Sequence, residues 1–116
     1  MGSSDRAQQI VVEYRERLRE ILGEELDSVV LYGSQARGDA QEGSDIDVLI
    51  VMRGSFDYGT LIEKTSKLTA AVSLEHDVVI SRAFVTRHDY QTRLTPFLMN
   101  VRREGVPVWA PTRYGL

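Results

Sequence analysis

The stretch Val29-Val30-Leu31-Tyr32-Gly33-Ser34-Gln35-Ala36-Arg37-Gly38-Asp39-Ala40-Gln41-Glu42-Gly43-Ser44-Asp45-Ile46-Asp47-Val48-Leu49-Ile50-Val51 decides how the chain is to be read. It opens on a short apolar run, bounded by Asp27-Ser28 and Gly33, that reads as a buried strand. It closes on a second, Ile46 to Met52, rich in β-branched residues. Between them lies a glycine- and serine-bearing loop. In a strand, residues two apart share a face. Asp45 and Asp47 therefore project together, while Ile46 and Val48 turn to the opposite side.

Outward from this core, residues 7 to 22 have the spacing of an amphipathic helix, with Ile10, Tyr14, Leu18 and Ile21 on one face and Gly23 as its stop. Residues 58 to 72 return to helical spacing through Leu61, Ile62, Leu68 and Val72, and a third strand is expected at His76-Asp77-Val78-Val79-Ile80. The polar stretch from Arg82 to Arg93 carries no clear period. Thr95-Pro96 has the pattern of an N-cap followed by proline at the first helical position. That helix carries Phe97, Leu98 and Val101 inward and ends at Gly105, and Val106 to Trp109 follow as an edge strand. The order implies an α+β (α/β) fold, a small mixed sheet flanked by helices, over residues 1–116 as one domain.

Composition narrows the function classes. The chain has 116 residues, 42% hydrophobic and 27% charged, as in ordinary globular domains, with net charge −3 and no cysteine. The acidic balance argues against stable nucleic-acid binding, which normally needs a positive excess. The missing cysteines exclude thiol catalysis and cysteine zinc sites. With no apolar run of bilayer length and no signal-peptide pattern at the start, the expectation is a cytoplasmic protein without membrane attachment.

Three features carry chemistry. Gly33-Ser34 follows the first strand directly. A glycine there lets the backbone turn sharply and lets a ligand approach, and a helical turn beginning at Ser34 would aim N–H groups at a phosphate. The same residues equally describe a plain capped turn. Asp45 and Asp47 repel unless a cation or a shared proton relieves them. Mg²⁺, which favours oxygen ligands completed by substrate phosphates, is the economical answer, and a solvent-facing polar edge the alternative. Asp77 stands where polar sequence gives way to apolar, with Glu75 expected on the same side. Either is a candidate third carboxylate, and Asp77 is preferred. His76 is expected to be packed or on the surface. Asp39 and Glu42 read as loop solvation, and Ser44 as bonding backbone N–H groups ahead of the second strand.

Taken together, Gly33-Ser34, ten residues and Asp45-Ile46-Asp47 resemble the minimal nucleotidyltransferases (MNT) of the DNA polymerase β superfamily. The likeness includes Ala36-Arg37-Gly38 and Ser44-Asp45, and it extends to the C-terminal Arg102-Arg103-Glu104-Gly105-Val106. The resemblance implies that Gly33 and Ser34 hold the β and γ phosphates of ATP and that Asp45 and Asp47 ligate Mg²⁺, two ions in all. Asp77 would complete the metal site near the acceptor and take its proton. Arg37 is a phosphate contact or, nearly as well, a partner that orients a carboxylate. Members of this family are commonly antitoxins that adenylylate a tyrosine hydroxyl of a HEPN-type RNase toxin. The competing expectations are a binding module that masks its partner without catalysis, and a transferase for a small-molecule hydroxyl.

Overall fold

The computed structural model describes residues 2–38 and 45–108, so Asp39, Glu42, Ser44 and Trp109 lie outside the described residues. Chain order is α1 (Gly2–Leu22), a 3₁₀ turn (Gly23–Glu25), β1 (Leu26–Tyr32), α2 (Ser34–Arg37), β2 (Ile46–Met52), α3 (Tyr58–His76), β3 (Ile80–Thr86), α4 (Arg87–Thr92), α5 (Pro96–Glu104) and β4 (Val106–Val108). The sheet runs β3-β2-β1-β4. β1 is antiparallel to both of its neighbours, and β2 and β3 are parallel, joined across α3. The sheet is therefore mixed, as the sequence implies. Among the described residues no helix is long and apolar enough to cross a membrane.

Alternation in the strands sorts two cores. Val29, Leu31, Ile46, Val48, Ile50, Met52, Ile80 and Phe84 face α1 and α3 in the larger one, where Ile10, Val11, Tyr14 and Leu18 are fully buried or nearly so. Val30, Leu49 and Val51 face the other way, against Leu98 and Val101 of α5. Ile21 is the exception on α1: it is 41% exposed, and Leu22 takes the buried place. A polar network crosses the larger core. The Tyr14 hydroxyl lies 2.7 Å from Thr69 Oγ1, Thr69 Oγ1 donates to the Thr65 carbonyl, and Arg82 Nε donates to Thr65 Oγ1 at 2.9 Å. Each buried hydroxyl thus has a partner, which removes the desolvation cost of placing it there.

The α3–β3 connection differs from the sequence expectation. His76 is the last residue of α3, and Asp77 caps it in the left-handed region at φ 55°, ψ 50°. The Asp77 and Val78 N–H groups donate back to Leu74 and Ser73 carbonyls, closing the helix end. Asp tolerates this conformation better than most residues. The change from polar to apolar at 76–78 therefore marks a helix terminus, and the strand begins at Ile80. The polar stretch beyond it is the rest of β3 followed by α4. A sheet-edge strand accommodates polar side chains, and Arg82 lays its guanidinium along α3, donating also to the Ile62 carbonyl at 3.0 Å.

α5 follows the sequence signals at its ends, with Leu98 and Val101 inward, but Phe97 is 44% exposed rather than inward, because it stands at the rim against Tyr32. Thr95 Oγ1 accepts from Leu98 N at 3.2 Å, with Pro96 at the first helical position. At its other end Gly105 crosses against the sheet, and a Cβ there would meet the Val101 carbonyl oxygen at 2.5 Å and Val30 Cγ1 at 2.6 Å. Gly105→Ala is expected to lower stability by ~1–3 kcal/mol through this overpacking. Urea denaturation would check it, a midpoint unchanged from the parent showing that the junction yields freely.

Candidate active site

One row of the sheet defines the site. Tyr32 of β1 pairs with Asp47 of β2, and Asp47 pairs with Ser81 of β3. Paired positions share a face, so all three side chains stand on the α5 side, at the end where β1 finishes and β2 and β3 begin. Ile46 and Val48 point into the opposite core, as the spacing predicts. Asp45, one residue before β2, is exposed and lies on the same side as Asp47, while Asp47 itself is half-buried. Ser81 Oγ donates to Asp45 Oδ2 at 3.5 Å.

Gly33 makes the row possible. It follows Tyr32 at φ 78°, ψ −157°, a conformation essentially reserved for glycine, and a Cβ on it would fall 2.5 Å from Asp47 Oδ2. The missing side chain is the space the carboxylate occupies. Ser34 then begins the single turn of α2, whose Ala36 and Arg37 N–H groups both donate to the Gly33 carbonyl. Gly33-Ser34 and Asp47 are thus direct neighbours. Arg37 pairs with Glu104 of α5 at 3.3 Å, which ties the turn to that helix. Phe97 stands edge-on to Tyr32, their centroids 5.4 Å apart, and remains 44% exposed beside the site.

The acidic pair is electrostatically uncomfortable. Burial, and secondarily the charge of Asp45, push the Asp47 carboxyl above its ordinary range. Burial first and Asp47 second raise Tyr32 as well. A half-buried carboxylate beside a like charge is the environment that a divalent cation relieves. The oxygen donors here suit Mg²⁺.

Asp77 lies on the α3–β3 connection, exposed, at the same end of the sheet as Asp45. Among the described residues, Asp45, Asp47 and Asp77 do not form a group with all ligand oxygens within 4.8 Å; Glu13, Glu75 and His76 do. Arg17 bonds both carboxylates of that second group, to Glu13 at 3.0 Å and Glu75 at 3.1 Å, and His76 Nε2 donates to Glu13 at 2.9 Å. It is an ion-pair clasp between α1 and α3, with its cation already supplied. Glu75 therefore faces α1 and is engaged there by Arg17, while Asp77 caps the end of α3. Tyr32 and Ser81 escaped the sequence reading, although counting by twos from Asp77 through Val79 reaches Ser81.

Two outcomes test this geometry. Gly33→Ala should disable the site, with a loss of nucleotide affinity of about 100-fold or more from displaced carboxylate and backbone strain; calorimetry would register it. Asp47→Asn should raise the melting temperature of the metal-free protein at pH 7. The raised carboxyl costs stability above its folded-state pKa, and the cost vanishes below the unfolded value, so the gain should shrink as pH falls toward the ordinary 3.8. A gain independent of pH would contradict the assigned cause.

The sequence and the fold resemble those of known nucleotidyltransferases. A family model described as nucleotidyltransferase domain matches residues 11–95. The chain is 37% identical over 102 residues to a Methanocaldococcus jannaschii protein named "Putative protein adenylyltransferase MJ0141", covering 86% of this chain and 96% of that one. In fold it is similar to a Sulfolobus solfataricus chain described as a "putative nucleotidyltransferase", with TM-score 0.67, 21% identity, and coverage of 97% and 86%. It is also similar to a chain of the complex of tri-AMPylated Shewanella oneidensis HEPN toxin with MNT antitoxin, with TM-score 0.55, 14% identity, and coverage of 93% and 73%. The chain belongs to the nucleotidyltransferase domain family.

Proposed function

We propose that this member of the nucleotidyltransferase domain family transfers an adenylyl group from Mg²⁺-bound ATP to a tyrosine hydroxyl of a HEPN-type toxin, acting as its cytoplasmic antitoxin. The observation that carries the reading is Asp47, half-buried, pressed by the charge of the exposed Asp45 and standing directly beside Gly33. The name of the M. jannaschii relative supplies the reaction class, and the AMPylated toxin bound by an MNT antitoxin supplies the partner class.

In this reading Gly33 and Ser34 receive the β and γ phosphates through the free backbone of the turn. Arg37, exposed and shared with Glu104, contributes a guanidinium to the same oxygens. Asp45 and Asp47 would hold Mg²⁺, two ions in all, which would supply the positive charge that a chain of net −3 otherwise lacks against a triphosphate. The acceptor oxygen bonds to the α-phosphorus, the bond to the β-phosphate oxygen breaks, and pyrophosphate leaves. Asp77, on the connection before β3, would be the third carboxylate and take the hydroxyl proton.

Asp47→Asn separates catalysis from masking. Adenylyl transfer from α-labelled ATP should fall by about 100-fold or more, a loss in line with removing a principal electrostatic stabiliser, while the complex with the toxin persists and toxin activity returns. Neutralisation that survives this change would establish masking instead. Label appearing on a small-molecule hydroxyl and not on the toxin would move the acceptor to that class.

A further inference from the structure

We infer that Ser81 is a positioning residue of the acidic pair's site, its hydroxyl orienting Asp45. The inference rests on the metal-site reading above and extends it to a residue that reading does not use. Asp47 is fixed from several sides: it is in register between Tyr32 and Ser81, half-buried, and packed into the space beside Gly33. Asp45 has much less support. It precedes β2, is exposed, and its neighbourhood is held through Ile46 N donating to the Val79 carbonyl at 2.8 Å. Its orientation is left to whatever side chain shares its face on the adjoining strand.

That side chain is Ser81. Its Cα is the register partner of Asp47, and its Oγ lies 3.5 Å from Asp45 Oδ2, so the residue shares a sheet row with one carboxylate and reaches the other. At 3.5 Å the contact is longer than an ordinary O–H···O hydrogen bond, which steers the carboxylate while leaving it open to a cation. A hydroxyl is suited to the position for a second reason. It donates to a carboxylate yet adds no charge, where a third acid in register would deepen the repulsion already felt by Asp47. The remaining residue of this parity, Val79, is apolar and 58% exposed, and cannot perform either task.

The test compares Ser81→Val with Ser81→Thr in the full chain. Both are β-branched and suit an edge strand, and they differ by the hydroxyl. Mn²⁺ binding, followed by electron paramagnetic resonance with a non-hydrolysable ATP analogue present, reads the site without turnover. Ser81→Val should weaken Mn²⁺ binding by about 5–10-fold, the net worth of one ordinary hydrogen bond, and Ser81→Thr should stay within about twofold of the parent on the same scale. Equal affinities for Val, Thr and parent, alongside a collapse in Asp45→Asn, would overturn the role of Ser81 and leave the metal site standing. Mn²⁺ binding untouched by Asp45→Asn and Asp47→Asn would instead overturn the metal site, and the role of Ser81 with it.

Discussion

The approach of the Asp47 carboxylate to Gly33 sets the terms for the rest of the molecule. An oxygen 2.5 Å from where a Cβ would stand requires glycine at the end of β1, and that glycine takes a backbone conformation other residues avoid. The antiparallel pairing of β1 with β2 aligns Tyr32 with Asp47, and the parallel pairing of β2 with β3 adds Ser81 to the row. Because α3 carries the chain back before β3 starts, β2 and β3 begin at the same end of the sheet. Acidic residues at the start of β2 and on the α3–β3 connection thus lie toward the same end of the sheet. A repulsive pair of carboxylates is tolerated there because the surrounding fold is determined elsewhere.

That determination comes from the opposite face. Fully buried Tyr14 and Leu18 of α1 pack with Val48 and Ile50 of β2, and the Tyr14–Thr69–Thr65–Arg82 network links α1, α3 and β3. The Glu13–Arg17–Glu75–His76 clasp adds exposed ion pairs across the same two helices, where such pairs contribute little individually. The hydrogen bond from His76, foremost, holds Glu13 below the usual carboxylate range. On the working face α5 covers Val30, Leu49 and Val51 with Leu98 and Val101, and leaves the Asp47 end bordered by Phe97. One face is closed and supports; the other is open where chemistry requires access.

Much of this is legible in the sequence. Period-two alternation put Asp45 and Asp47 together and sent Ile46 and Val48 inward, and Thr95-Pro96 announced α5, because those signals are local and strong. The α3–β3 connection was not legible. Helix propensity beyond Val72 and a left-handed cap at Asp77 are settled by the bonds from Asp77 and Val78 back to Leu74 and Ser73, which no periodicity reveals. β3 hid for a related reason: an edge strand carrying Ser81 and Arg82 looks polar, and the partners that make Arg82 comfortable, Thr65 and Ile62, lie some twenty residues away in sequence. Glu75 shows the same limit. By alternation it joined Asp77, but the helix continues through it and turns its carboxylate to Arg17.

The central claim is that the charge of Asp45 and Asp47 must be met by a divalent cation before a triphosphate can bind beside Gly33. Isothermal calorimetry of ATP with the parent protein, in Mg²⁺ and again in EDTA, addresses it most directly. The account predicts measurable heat and saturable binding in Mg²⁺ and a loss of affinity of at least about 100-fold in EDTA, as expected when two carboxylates face a bare triphosphate. Equal affinity in the two conditions would contradict it.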